Sequence, residues 1–354
     1  MSDKFILKIK NIIKETKDCV SIALDIPAEH QTSFQFKPGQ YITFIKTFNN
    51  EEIRRSYSIC SSPFENELRV AVKKVEDGLF SSYANEQLQS GDLIEVMPPE
   101  GRFSPNLHLE NQKIYLLIAA GSGITPILSI AKSILQEELN SNVILLYGNQ
   151  KTENIIFKEQ LLALKNKFLK RFQINFLLSK ELTEEGNFYG RINSQKLSIF
   201  KNTLFNINDL DEIFICGPEE MIVDCRTYLL EQGIPSLKIH VELFGAKINT
   251  KKQEKILSRK GNVAHVKYKL NGRTHELQLD YGESSILDAA LKQNSALPFA
   301  CKGGVCCTCK AKLIEGTVDM LVNYGLEQDE VDNGYILTCQ SYPSSNEISI
   351  DYDV

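Results

Sequence analysis

The sequence predicts three modules in series: an antiparallel β-barrel, a doubly wound parallel α/β sheet and a small α+β unit. Three patterns carry this expectation. Apolar residues alternate with polar ones through residues 1–107, and continuous apolar runs alternate with helical segments through 108–245. A hairpin signal, a short helix and a dense group of cysteines fill residues 262–354. The 354 residues suffice for two or three domains, each with its own core.

In the first module "VSIALDI" places Val20, Ile22, Leu24 and Ile26 at alternate positions, and "LRVAV" repeats the pattern at Leu68, Val70 and Val72. Pro38-Gly39 and Asp77-Gly78 supply turns. A short helix is expected in "SSYANEQLQSG", capped by its serines and ending before Gly91. In the second module the runs "IYLLIAA", "VILLY", "INFLL", "IFIC" and "IHVELF" read as strands buried on both faces. The first intervening helix sets Ile127, Ile130, Ala131, Ile134 and Leu135 on one face. Strands alternating with helices in this way predict a parallel sheet. Residues 246–261, rich in Lys and Arg, read as a linker. The third module opens with a hairpin at Asn271-Gly272, continues with a helix in "SSILDAALKQN" capped by Ser284 or Ser285, and ends in the strand "EISIDYDV".

The formal net charge is −5, and it is uneven. From Asn262 onward there are 13 Asp and Glu against 7 Lys and Arg, so the preceding residues sum to +1. That balance argues against a nucleic-acid partner and for a charged protein partner. No run of eighteen apolar residues occurs, so membrane insertion is not expected, and the N-terminus has no signal-peptide pattern. A cytoplasmic location and a reducing compartment follow as expectations, the nine cysteines being odd in number. Nothing in the sequence sets the oligomeric state.

Cys301, Cys306, Cys309 and Cys339 form C-x4-C-x2-C followed by a distant fourth cysteine. This is the plant-type [2Fe–2S] ligand spacing. Zinc is the competing reading, but zinc ribbons favour paired C-x2-C units, and this run has only one. The glycines of Lys302-Gly303-Gly304-Val305 let the backbone wrap closely and direct N–H groups at sulfur. Cys307 is expected to point away as a bystander, and Cys19, Cys60, Cys216 and Cys225 to be small core residues. The third module therefore reads as a ferredoxin domain of β-grasp fold.

"AAGSGITPILSI" follows a buried strand and opens a helix, with Thr125 as the expected N-cap and Pro126 in the first turn. A helix N-terminus there is suited to a pyrophosphate. "ICGPEEM" puts Cys216 and Gly217 at the carboxyl edge of the same sheet, where such sheets bind ligands. A nicotinamide gives up two electrons as hydride while a [2Fe–2S] cluster accepts one. A flavin between them reconciles the two, and the barrel is the module left to hold it. None of the five histidines forms a ligand-like pair, and His240 reads as a satisfied core residue.

"RRSYSICS", "GLFSSYA", "PPEGRF", "AAGSGITPI", "YGN" and "ICGPEEMI", in that order and ending in the cysteine module, resemble the ferredoxin–NADP⁺ reductase superfamily across essentially the whole chain. Within it the chain is similar to oxygenase reductases of the phenylacetyl-CoA epoxidase type. The resemblance implies that Arg55 and Ser56 belong to the flavin motif, with Arg55 on the flavin phosphate. It implies that Tyr57 packs on the isoalloxazine and that Ser58 lies near the reactive nitrogen. Gly78 and Ser81 would form the second flavin motif, favouring FAD over FMN. Gly121, Gly123, Thr125 and Gly217 would hold the dinucleotide, with Glu242 and Phe244 near the flavin, and Tyr57, Ser58, Cys216 and Glu242 would form the catalytic set. Family members selecting NADPH often carry arginines where this chain has Gln150 and Ser179-Lys180. Lys180, helped by Arg191, would meet a 2′-phosphate as a point charge, so NADPH is favoured slightly over NADH. The acceptor implied is a di-iron oxygenase component; another oxygenase, a desaturase, a hybrid-cluster protein, or a sensor role are the alternatives. Glu327, Asp329, Glu330 and Asp332 read either as a solvated loop or as the acceptor's docking face.

Overall fold

The computed structural model describes residues 4–182, 186–244, 250–258, 261–293 and 295–354. They divide into two compact units, Lys4–Phe244 and the residues after Phe244.

The first unit begins with a six-stranded antiparallel sheet. Its strands are β1 (Phe5–Thr16), β2 (Cys19–Asp25), β3 (Tyr41–Phe48), β4 (Glu51–Ser58), β5 (Leu68–Lys73) and β6 (Leu93–Glu100), ordered β4-β3-β6-β1-β2-β5. Its outer strands meet through a bridge between Ile59 and Val70, and the Cys60 N–H donates to the Arg69 carbonyl at 2.8 Å, which closes the barrel. Helix α1 (Leu79–Glu86) packs on β2 and β5 and carries Phe80 into the core, stacked on Phe44 at 5.3 Å. The serines expected to cap α1 lie inside it. Gly78 is the N-cap, and the Ser81 hydroxyl donates to the Gly78 carbonyl and accepts from the Val75 N–H, so it ties down the preceding turn.

The same unit continues as a wholly parallel sheet of β7 (Ile114–Ala120), β8 (Asn142–Asn149), β9 (Phe172–Leu178), β10 (Glu212–Cys216) and β11 (Ile239–Glu242). Helices α2 (Ile124–Glu137), α3 (Lys158–Lys167), α4 (Ser194–Phe200) and α5 (Glu219–Glu231) connect the strands. The order β11-β10-β7-β8-β9 reverses between β7 and β10, which makes their carboxyl ends the topological switch point. Helix α2 buries Ile127, Ile130, Ile134 and Leu135 completely, as its periodicity predicts. Part of its other side is buried too, at Ser129 and Ser133. The Ser129 hydroxyl donates to the Ser61 carbonyl at 2.6 Å, the Ser133 and Ser62 hydroxyls lie 3.0 Å apart, and Lys132 pairs with Glu65. Sheet and barrel thus share one helix. His240 is a packed residue, stacked on Phe214 and hydrogen-bonded to Glu212 at 2.7 Å.

In the second unit, α6 (Thr250–Leu257) lies within the segment expected to be a linker. Residues 246–249 and 259–260 of that segment lie outside the described residues. The hairpin of β12 (Val263–Leu270) and β13 (Arg273–Asp280) turns at Asn271 and Gly272, both at positive φ. Helix α7 (Ile286–Lys292) follows, with the Ser285 hydroxyl accepting from the Asp288 N–H. Strands β14 (Lys310–Glu315), β15 (Val318–Met320), β16 (Tyr335–Leu337), β17 (Ser341–Pro343) and β18 (Glu347–Asp351), with α8 (Gln328–Asp332), complete the unit. Its main sheet, ordered β13-β12-β18-β14-β16, is mixed, with β12 parallel to β18 and α7 packed on β13.

Candidate functional site

Two constellations stand out, one in each unit. In the first, β7 runs into a turn at Gly121–Gly123 and directly into α2. A side chain at Gly123 would begin 2.2 Å from the Cys216 carbonyl, so only glycine lets this turn approach the end of β10. Gly121 has φ +57, and a side chain there would meet open space. Thr125, expected as the N-cap, is inside the helix and donates to the Ser122 carbonyl at 3.0 Å. Gly123 takes the cap position and has no side chain to cap with, and Thr125 is buried. No side chain caps the helix start; of its first-turn residues the Ile124 N–H is taken by the Gly121 and Ser122 carbonyls and Pro126 has none, and a helix N-terminus without a capping side chain leaves room for an anion.

Cys216 pairs in register with Ala119 on one side and Glu242 on the other. The Ser58 hydroxyl, at the end of β4, donates to Glu242 Oε2 at 3.2 Å. Ser58, Cys216 and the Glu242 carboxyl thus meet at one place. Burial pushes the Glu242 pKa up to about 8, partly opposed by the Ser58 hydrogen bond, so the carboxyl is largely protonated at neutral pH. Burial and the nearby Glu242 both raise the Cys216 thiol pKa, which keeps that thiol neutral. On β4, Arg55 and Tyr57 share one face and Ser56 and Ser58 the other. Arg55 is exposed and donates to the Arg54 carbonyl, while Tyr57 sits 5.9 Å from Phe44 and 5.6 Å from Phe80. Ser56 lies 2.9 Å from the Thr43 hydroxyl. Phe244 is 46% exposed beside buried Leu243. Lys180 is exposed just beyond β9, its N–H donating to the Gln150 carbonyl, and Arg191 is exposed. Gly78 and Ser81 sit at the start of α1, away from any contact with the Cys216 group that the hydrogen bonds record.

The second constellation is the cysteine loop. Cys301 and Cys306 are half-buried, and Cys309 and Cys339 are buried. Their sulfurs come as two hydrogen-bonded pairs, Cys301 with Cys306 and Cys309 with Cys339. The Cys306 thiol, together with backbone N–H groups of Gly303, Val305 and Cys306, lowers the Cys301 pKa to about 6. In each pair the second sulfur is raised, Cys306 by Cys301 and Cys339 by Cys309, because a second thiolate would form against the first. Among the described residues no three Cys, His, Asp or Glu side chains converge on one ion. Hydrogen bonds to the sulfurs tune an iron–sulfur cluster, and the first pair has them: the Cys301 N–H donates to Cys306 Sγ at 3.4 Å and the Gly303 N–H to Cys301 Sγ at 3.2 Å. The four cysteines fit a [2Fe–2S] group. Cys307, at φ +57, has a partner of its own: it donates its thiol hydrogen to the Gly325 carbonyl at 2.8 Å.

Comparison with known proteins follows the same division. Residues 6–104 match the oxidoreductase FAD-binding domain, 117–227 the oxidoreductase NAD-binding domain, and 268–344 the 2Fe-2S iron-sulfur cluster binding domain. Together they define a class: a flavin- and pyridine-nucleotide-binding oxidoreductase with an iron–sulfur domain. The chain is 41% identical over 347 residues to a component protein of 1,2-phenylacetyl-CoA epoxidase from Escherichia coli (strain K12), covering 98% of this chain and 97% of that one. It is 31% identical over 357 residues to the ferredoxin reductase component of 3-ketosteroid-9-alpha-monooxygenase from Mycobacterium tuberculosis (strain ATCC 25618 / H37Rv), covering 98% and 95%. Phthalate dioxygenase reductase aligns over 98% of both chains with TM-score 0.62 and 25% identity. An intact type IV self-sufficient cytochrome P450 monooxygenase shares the fold, with TM-score 0.72 and 18% identity over 98% of this chain and 41% of that one. The chain belongs to the family of oxygenase reductase components that includes this phenylacetyl-CoA epoxidase component, and its cofactors are FAD, a pyridine nucleotide and a [2Fe–2S] cluster.

Proposed function

We propose that this protein draws electrons from NADPH or NADH and delivers them singly to the di-iron component of an oxygenase of the phenylacetyl-CoA epoxidase type. The acceptor class is supported by the 41% identity to the epoxidase component of Escherichia coli. The observation that carries the redox reading is the meeting of Ser58, Cys216 and Glu242 beside a glycine turn with no capping side chain. When bound, flavin takes both electrons of a hydride and passes them on one at a time, and the cluster carries single electrons outward.

The chain's own residues bind and orient. Arg55, Ser56 and the N-terminus of α1 at Gly78 and Ser81 serve the flavin's phosphates, and the Tyr57 ring packs on its ring system. Gly121, Gly123, Thr125 and Gly217 shape the dinucleotide cradle, and Lys180 pairs with a 2′-phosphate. Ser58 and Glu242 hold a proton between Oγ and Oε2 at the reacting centre, Cys216 closes its floor against water, and Phe244 covers its edge. Cys301, Cys306, Cys309 and Cys339 ligate the cluster. The test is an anaerobic titration with NADPH and then NADH, following flavin bleaching and the reduced-cluster EPR signal. Bleaching followed by a [2Fe–2S] signal is expected; a bound flavin that neither coenzyme reduces would overturn the proposal. Lys180→Ala should raise KM for NADPH about threefold to fivefold and leave that for NADH in place, a surface ion pair being worth under about 1 kcal/mol.

A further inference from the structure

Helix α6 is connected to the cysteine loop through a short strap of chain. Ile256 of α6 is 3% exposed and packs with Leu321 and Val322, with Tyr342 against the same cluster. Residues 321–325 then run alongside the ligand loop. The Tyr324 and Gly325 N–H groups both donate to the Gly304 carbonyl, at 3.0 and 3.1 Å. Gly304 has φ +75, and a side chain there would begin 2.8 Å from the Val322 carbonyl and 3.0 Å from its Cγ1. The Cys307 thiol fastens the other end at the Gly325 carbonyl. The Leu321 N–H donates to the Gln340 carbonyl at 2.8 Å, and the Gln340 amide donates to the Lys302 carbonyl. The strap therefore joins both ligand-bearing segments, the loop around Cys301 and Cys306 and the residue after Cys339.

We infer that α6 belongs to the cluster-supporting structure, with Ile256 a positioning residue that holds the strap 321–325 against the cysteine loop. The inference rests on the assignment of the four cysteines as ligands. Ile256 touches no ligand; it acts by keeping Val322 pressed on Gly304, so the N–H groups of the loop stay aimed at sulfur. The segment joining the two units is then not merely a tether, because displacement of α6 would loosen the cluster loop.

The test uses the full-length protein with Ile256→Ala, Ile256→Val and Cys307→Ala. Two readouts are followed: bleaching of the cluster's visible absorption by an iron chelator, and amide hydrogen exchange in the protein as purified. Ile256→Ala should speed bleaching by about tenfold or more, because truncating a buried isoleucine raises local opening by that order. Exchange should rise at Tyr324 and Gly325 and stay unchanged at Val266 and Ile348 in the sheet core. Ile256→Val should lie between, and Cys307→Ala should reproduce the effect from the strap's other end. Unchanged bleaching and exchange in Ile256→Ala would overturn the inference, as would an equal rise at all these amides, which would mean general destabilisation. If the wild-type protein held no cluster, the ligand assignment would fall, and the exchange pattern alone would still decide whether Ile256 holds the strap.

Discussion

Glu242 is a carboxyl held far from its usual behaviour. A carboxyl with a pKa of about 8 keeps its proton in the folded protein while the unfolded chain gives it up near pH 4.5. Between those values the folded state binds more protons than the unfolded one, so stability falls as pH rises from about 4.5 to about 8 and then levels off. Glu242→Gln should remove that slope, and thermal melts between pH 5.5 and 9 would show the variant gaining on the wild type as pH rises. Parallel curves would mean that Glu242 is ionised in the folded protein. Gly123 is constrained by space alone. Gly123→Ala would drive a methyl into the Cys216 carbonyl at 2.2 Å. It should cost about 1–3 kcal/mol of stability, measured by urea denaturation, and weaken coenzyme binding more than flavin binding.

At the scale of elements, α2 and α6 show what a sequence pattern can and cannot disclose. The period of Ile127, Ile130, Ile134 and Leu135 reveals the sheet-facing side of α2, because apolar burial leaves a 3.6-residue trace. The serines at 129 and 133 leave no such trace, since a polar residue on the second buried face reads as solvent-exposed until its partners at Ser61 and Ser62 are known. Ser129→Ala would strand the Ser61 carbonyl and should cost about 1–2 kcal/mol by denaturant titration. The same blindness hides α6. Its segment is dominated by lysines, and the single buried side chain described there, Ile256, is meaningful only beside Leu321 and Val322 far along the chain. Cys307 escapes a sequence reading for a related reason: spacing identifies ligands, but it is silent about a thiol that bonds the backbone of another loop. The hairpin at Asn271-Gly272 and the Ser285 cap, by contrast, are legible because their partners lie within a few residues.

For the whole molecule, the flavin barrel precedes the nucleotide sheet, the reverse of the proposed electron flow, and only the cysteine domain stands where that flow puts it, last. The cysteine spacing makes the last step readable, since four ligands at fixed offsets are chemically demanding. The switch point between β7 and β10 is readable only in part, because which strands end together depends on sheet order. The net charge of −6 from Asn262 onward makes a further demand. Reduction of a protein acceptor should slow several-fold between about 50 and 300 mM salt, while reduction of ferricyanide, which can take electrons from flavin, should change little. In the proposed relay electrons reach a protein acceptor only through the cluster. Cys309→Ser tests it most directly, with NADPH as donor and ferricyanide and cytochrome c compared as acceptors in steady-state assays. Flavin bleaching and ferricyanide reduction should persist while cytochrome c reduction is lost; full cytochrome c turnover by the variant would mean that the cluster is not on the path.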